Sequence, residues 1–201
     1  MMKNIPYGKQ TISEKDTKNV LKTIRSEFLT TGPTTKIFEE KGIELVENTP
    51  EEIRRIFSIP LKEMTINSPR NLLRVIHYPP LRETDNPEEV RAAAHEDINL
   101  LTVLCSATAP GLQAQDLEGN WHEVPCDSGM LAVNTGDMLQ MASGGYFPST
   151  THRVINPPGE DKHLSRMSMP LFLHPHDYIQ LSDTHTAGDY LTERLEEIGL
   201  I

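Results

Sequence analysis

Cysteine is scarce, with only Cys105 and Cys126 in 201 residues, so no disulfide framework can be built from the chain. Two unpaired thiols suit a reducing compartment, and a cytoplasmic protein is expected. A basic surplus is also missing: the net charge is −10. Residues 1–50 carry eight Lys/Arg against seven Asp/Glu, which leaves eleven against 22 for the rest. An acidic body repels phosphate backbones, so nucleic acid is not an expected partner. No apolar run approaches the length needed to cross a bilayer, and Met1 to Gln10 lacks the apolar segment of a secretion signal. Repeats and low-complexity tracts are absent as well. What remains is an ordinary globular composition, 37% apolar and 24% charged, with length for one domain and an appendage.

The first third reads as helical. Val20, Leu21, Ile24 and Phe28 recur at helical spacing after Ser13, and a second helical pattern runs from Thr35 to Val46. Thr49-Pro50-Glu51-Glu52 opens a third, combining a threonine cap, a first-turn proline and a glutamate three residues after the cap. From Leu72 the character changes to short apolar or alternating runs: 72–78, 100–105, 111–116, 121–124, 130–134, 137–141, 152–155 and 164–173. Pro, Gly, Asn or Asp punctuates most of them. Glu118-Gly119-Asn120 signals a hairpin. One helix is expected among the strands, from Asn86-Pro87-Glu88-Glu89 to about Ala94, and another from about Asp189 to Ile198, stopped by Gly199. Eight short strands at close spacing predict a double-sheet jelly roll or sandwich.

The chemistry is carried by His95-Glu96-Asp97, then a distant His152, then Arg166-Met167-Ser168. Residues two apart in an extended segment point the same way, so His95 and Asp97 can aim together while Glu96 faces away. Two imidazoles and a carboxylate can take one face of a ferrous ion and leave the other open. Taken singly, His-x-Asp or a lone histidine is weak evidence, since eight histidines are present. Arg166 and Ser168 share a strand face and alternate with Met167 and Met169. Either the arginine looks into the barrel or it is a solvated surface charge. A buried guanidinium needs an anion, and no carboxylate lies nearby in sequence.

The ordered set resembles the isopenicillin N synthase-like family of iron(II)/2-oxoglutarate dioxygenases over about residues 72–200. It includes Leu73 to Pro80, His95 to Thr102, Gly111-Leu112-Gln113, Trp121, Val133 to Asp137, Ser149 to Val154 and Arg166-x-Ser168. The resemblance implies a mainly β fold with flanking helices, a double-stranded β-helix (jelly roll) over 69–201. Residues 1–68 would then form a short, truncated helical region of atypical origin. It also implies His95, Asp97 and His152 as iron ligands, with no catalytic residue beyond them. Arg166, Ser168 and Tyr78 would hold the distal carboxylate of 2-oxoglutarate. Fe(II), 2-oxoglutarate and O2 would be the cofactors, a small molecule the substrate, and succinate and CO2 the co-products. Many plant members carry asparagine two residues before that tyrosine, where this chain has Ile76.

Other features carry blander expectations. His174-Pro175-His176 reads as an exposed loop rather than a metal pair, and His122, His163 and His185 as surface residues. His77 is expected to pack, and Met138 and Met141 to fill the core. Asn134 and Asp137 read as turn structure. Residues 4–41 resemble the opening of pyridoxal-phosphate aminotransferases acting on nucleotide-linked sugars, but nothing after Gly42 continues that pattern, which excludes the activity. Two alternatives to the oxygenase stay open. One is an oxidase on the same scaffold that uses no keto acid, and the other is a truncated, non-catalytic jelly roll. Neither the primary substrate nor the oligomeric state is legible.

Overall fold

A computed structural model describes residues 61–201, apart from 84, 87, 88, 128, 129 and 158. The three helices expected before Pro60 and the aminotransferase-like opening at 4–41 lie outside the described residues. Within them, ten strands and three α-helices alternate along the chain. Helix α1 (Leu61–Thr65) leads into β1 (Leu72–Leu73), β2 (Ile76–Tyr78), β3 (Ala92–His95), β4 (Leu101–Cys105), β5 (Leu112–Gln115), β6 (Trp121–Glu123) and β7 (Leu131–Thr135). Helix α2 (Asp137–Ala142), β8 (His152–Val154), β9 (Arg166–Ser168), β10 (Pro170–Leu173) and α3 (Ala187–Glu197) complete it.

Two four-stranded antiparallel sheets, ordered β1-β10-β4-β7 and β3-β8-β5-β6, are joined by the two-stranded β2–β9 ladder. This is the mostly β, double-sheet architecture the sequence predicts. Two long runs in sequence each divide between ladders. Residues 72–78 give β1 and β2, and 166–173 give β9 and β10, and these two stretches run antiparallel to each other. The Arg74 amide, donating to the Pro170 carbonyl at 3.0 Å, keeps the ribbon continuous where it changes sheets. One consequence matters for the site: Tyr78 and Arg166 become register partners.

Two expectations fail. Residues 137–141 are not a strand but the helix α2, whose Met138, Leu139 and Ala142 are buried. Burial at i, i+1 and i+4 is one helical face, but Asp-Met-Leu-Gln-Met is too short to separate that period from alternation. Of the helix expected from Asn86 to Ala94, the described residues 86 and 89–91 are irregular chain and Ala92–Ala94 belong to β3. Three alanines favour helix intrinsically, yet β3 pairs with β8, matching Ala92 with Val154 and His95 with His152 across a register shift. Ladder hydrogen bonds override the propensity. The Glu118-Gly119-Asn120 hairpin forms as expected, with Gly119 at φ 88° between β5 and β6.

The core sits under one end of the barrel. Met64 of α1, Leu100 and Leu101, Met138, Leu139 and Ala142 of α2, and Ile179, Leu181 and Ala187 form one buried cluster. Met141 packs against it, as expected. Helix α3 starts with a Thr186–Asp189 capping box and lays Tyr190 and Leu191 on the cluster.

Candidate metal centre

His95 ends β3, Asp97 lies two residues beyond, and His152 opens β8 directly opposite His95. The β3–β8 pairing brings the two imidazoles to a centroid separation of 4.4 Å. One ligand atom from each of His95, Asp97 and His152 falls within 4.8 Å of the others, and this is the one such group among the described residues. Asp97 Oδ1 lies 3.9 Å from His95 Nε2 and 3.8 Å from His152 Nε2. Those separations are too long for hydrogen bonds. Two donors each about 2.1 Å from one ion can stand up to about 4.2 Å apart, so both gaps fit a shared metal.

The remaining polar atoms of all three side chains are already committed. His95 Nδ1 meets the Ala93 carbonyl at 2.7 Å and His152 Nδ1 the Thr150 carbonyl at 2.9 Å. A carbonyl only accepts, so each Nδ1 carries a proton, and in the neutral ring each Nε2 then keeps its lone pair. Asp97 is divided in the same way. Its Oδ2 accepts from Thr102 Oγ1 at 2.6 Å and Asn134 Nδ2 at 2.9 Å, leaving Oδ1 to face the imidazoles. Asn99 Nδ2 in turn donates to Thr102 Oγ1 at 3.0 Å. Asn134 is thus more than turn structure: β4–β7 pairing sets it opposite Thr102, within reach of the carboxylate. Sequence order gives no warning of this, because Asn134 and Asp97 are 37 positions apart.

The backbone around Asp97 is pinned from below. The Asp137 amide donates to the Asp97 carbonyl at 2.8 Å and the Met138 amide to the Asn99 carbonyl at 3.2 Å. A Cβ on Gly136 would meet the Asn99 carbonyl oxygen at 2.2 Å and that of Asp97 at 2.7 Å, so only glycine allows this approach. Asp137 Oδ2 also accepts from Tyr190 Oη at 3.2 Å, and the neighbouring carboxylate helps push that phenol up to about 12, after burial. Helix α2 therefore carries the position of Asp97 into the core.

Arg166 is 1% exposed and lies on β9 with Ser168, itself buried. Its Nε donates to the Ala109 carbonyl at 2.9 Å, but the buried Nη1 has no partner. Burial lowers the guanidinium pKa, and no carboxylate opposes this. The ring of Tyr78 is 5.4 Å from Arg166 Cζ. Burial raises the phenol's pKa, partly offset by Arg166, Arg91 and Arg74. A small depression between β4, β5 and β7 reaches Arg166 but none of the three candidate ligands. The neighbouring Met167 is buried too, so β9 is covered on both faces.

His174-Pro175-His176 departs from expectation. Rather than an exposed loop it is packed, with Pro175 buried and His176 Nε2 bonded to the Ile66 carbonyl at 2.9 Å. Burial, then Arg70, lowers His174 to about 4. His77 is half-buried on β2. His122 is exposed and bonds Asp116 at 2.6 Å, His163 is exposed, and His185 is half-buried beside Glu193 at 3.3 Å. Cys105 and Cys126 are free thiols.

Comparison with known proteins gives a consistent result. The model of the 2OG-Fe(II) oxygenase superfamily matches residues 69–175. A crystal structure of a Shewanella oneidensis protein named as an oxygenase is 47% identical with a TM-score of 0.78, and the match covers 97% of this chain and 67% of that one. A full-length Neurospora crassa protein, solved in complex with alpha-KG, is 27% identical with a TM-score of 0.59, covering 67% of this chain and 47% of its own. Isopenicillin N synthase of Amycolatopsis lactamdurans is 31% identical over 123 residues, covering 60% of this chain and 36% of that protein. The chain spans between 30% and 48% of the curated relatives it matches. The family match begins at residue 69. Among the described residues no helix is long and apolar enough to cross a membrane.

Proposed function

The chain belongs to the 2OG-Fe(II) oxygenase superfamily, and on that premise we propose that it is an iron(II)- and 2-oxoglutarate-dependent dioxygenase that hydroxylates a small molecule. Residues 69–201 form its oxygenase unit, and a cytoplasmic setting suits its two free thiols. The observation that carries this reading is the division of labour at Asp97: one carboxylate oxygen is satisfied by Thr102 and Asn134, and the other faces two bare Nε2 atoms. Two neutral imidazoles and one carboxylate suit ferrous iron, leaving positions open for other ligands. Iron and 2-oxoglutarate, when bound, supply the oxidising chemistry, with succinate and CO2 as co-products.

The protein's own residues bind, orient and exclude water. His95, Asp97 and His152 would hold the metal, each fixed by the hydrogen bond on its far side. Arg166 would receive the distal carboxylate of the keto acid, with the Ser168 hydroxyl on the same strand face and the Tyr78 phenol across the ladder. The unpartnered Nη1 of Arg166 supports that role, because a buried guanidinium without an anion is costly. It also favours the keto-acid reading over an oxidase that needs none. The test is direct: the full chain, loaded with ferrous iron, should release succinate and consume one 2-oxoglutarate per product when small metabolites are screened. Ferrous iron that does not bind, or binds equally to Asp97→Ala, would overturn the proposal.

A further inference from the structure

Arg91 immediately precedes β3, and its side chain reaches the end of the β2–β9 ladder. Its Nη2 donates to the Leu164 carbonyl at 2.9 Å and lies 3.5 Å from that of Pro79. Pro79 follows Tyr78, and Leu164 stands two residues before Arg166, so the guanidinium closes the end of the ladder where Tyr78 and Arg166 are paired. Arg91 Nε and Nη1 are enclosed and meet no acceptor. Arg166 Nη1 is in the same condition. Arg166 thus faces the Tyr78 ring while Arg91 holds the carbonyl of the residue after Tyr78, each with enclosed N–H groups left over. Among the described residues neither makes an ion pair, and the charges that bear on Tyr78 are all cationic. Like charges held together and half-desolvated are unfavourable unless an anion joins them.

We propose that Arg91 is a second anion-binding residue of the co-substrate pocket, sharing with Arg166 and Tyr78 the distal carboxylate of a five-carbon 2-keto dicarboxylate. This rests on the oxygenase reading and extends it to a residue outside the Arg-x-Ser pair. One carboxylate offers about four lone-pair sites, enough for a fork from Arg166 and one hydrogen bond each from Arg91 and Tyr78. A keto acid without that distal group leaves two cations unpaired instead of one, so a paired cradle rejects it more strongly than a single arginine.

The experiment titrates the iron-loaded full chain without oxygen, by calorimetry, with 2-oxoglutarate and with 2-oxovalerate, which has the same carbon count and no distal acid. Arg91→Gln should weaken 2-oxoglutarate about tenfold, the weight of one charge-assisted hydrogen bond, and leave 2-oxovalerate unchanged. If Arg91 merely ties the Pro79 and Leu164 carbonyls, both acids weaken equally or neither does, and the assignment is overturned. Should the glutamine variant not fold, Arg91→Lys keeps the charge without the fork and is read the same way: selective loss of the dicarboxylate supports the assignment, and equal or no loss overturns it. A wild-type chain that binds no 2-oxoglutarate overturns the oxygenase reading itself, whereas wild-type binding that Arg91→Gln leaves intact overturns only the role of Arg91.

Discussion

The two ends of the site are built in opposite ways. At the His95–Asp97–His152 end every polar atom not aimed at the common point already has a protein partner: two backbone carbonyls for the imidazoles, a threonine and an asparagine for the carboxylate. At the Arg166 end the protein leaves N–H groups enclosed and unanswered, on Arg91 as well. The first arrangement fixes three donor atoms before any ligand arrives, so little reorganisation is needed on binding. The second carries an electrostatic cost that the proposed anion would relieve, which would turn ligand binding into a gain in stability.

The largest effect that would break this contrast is at Asp97. Asp97→Ala should abolish ferrous uptake, measured by titration of the purified chain, while taking from Thr102 and Asn134 the acceptor they share, at a cost of about 1–3 kcal/mol in urea unfolding. Arg166→Met comes next and should behave oppositely. Keto-acid affinity falls by about a hundredfold, yet the ligand-free protein is as stable as wild type or more so, because an unpaired buried cation is replaced by an apolar side chain of similar length. A large destabilisation in unfolding experiments would mean that the guanidinium is satisfied in the free protein. Asn134→Ala should weaken metal binding by about tenfold without removing it, since it frees the far oxygen of Asp97 but leaves the ligands in place. Equal metal affinity in that variant would detach Asn134 from the site.

The smallest effect is set by pH. His174 titrates at about 4 when folded, below its ordinary 6.5, because burial disfavours its charged form. The unfolded chain therefore binds the extra proton first, and stability falls as pH drops below about 6.5, by about 1 kcal/mol at about pH 5.5. His174→Phe should flatten that part of the urea-midpoint profile of the metal-free protein relative to wild type. An unchanged slope would place the histidine's charge change outside this range. No such acid loss is expected from the arginine end, where the guanidiniums remain protonated throughout.

Much of this was legible in the chain itself. The strand runs, the hairpin at Gly119, the closing helix and the ordered His-x-Asp, His and Arg-x-Ser all appear as local patterns or fixed spacings. Local patterns failed where a distant partner decided the outcome. Ala92–His95 reads as the end of a helix until β8 supplies its ladder, and residues 137–141 read as a strand until a core is there to receive Met138, Leu139 and Ala142. Asn134 reads only as turn structure, and Arg91 carries no reading at all, for a related reason. An asparagine in a turn-like tetrad and an arginine before three alanines show nothing unusual until strand pairing sets the first beside Asp97 and contacts with Pro79 and Leu164 hold the second at the end of the β2–β9 ladder.

By itself the sequence determined which chemical groups exist and in what order, and so the kind of metal and anion they could serve, because donor type and charge are properties of single side chains. Only the tertiary structure decided which oxygen of Asp97 is free, which nitrogen of each imidazole is bare and which arginines lack a counter-ion. Those are properties of pairs, made by strand registers joining residues dozens of positions apart, and no single stretch of chain encodes them.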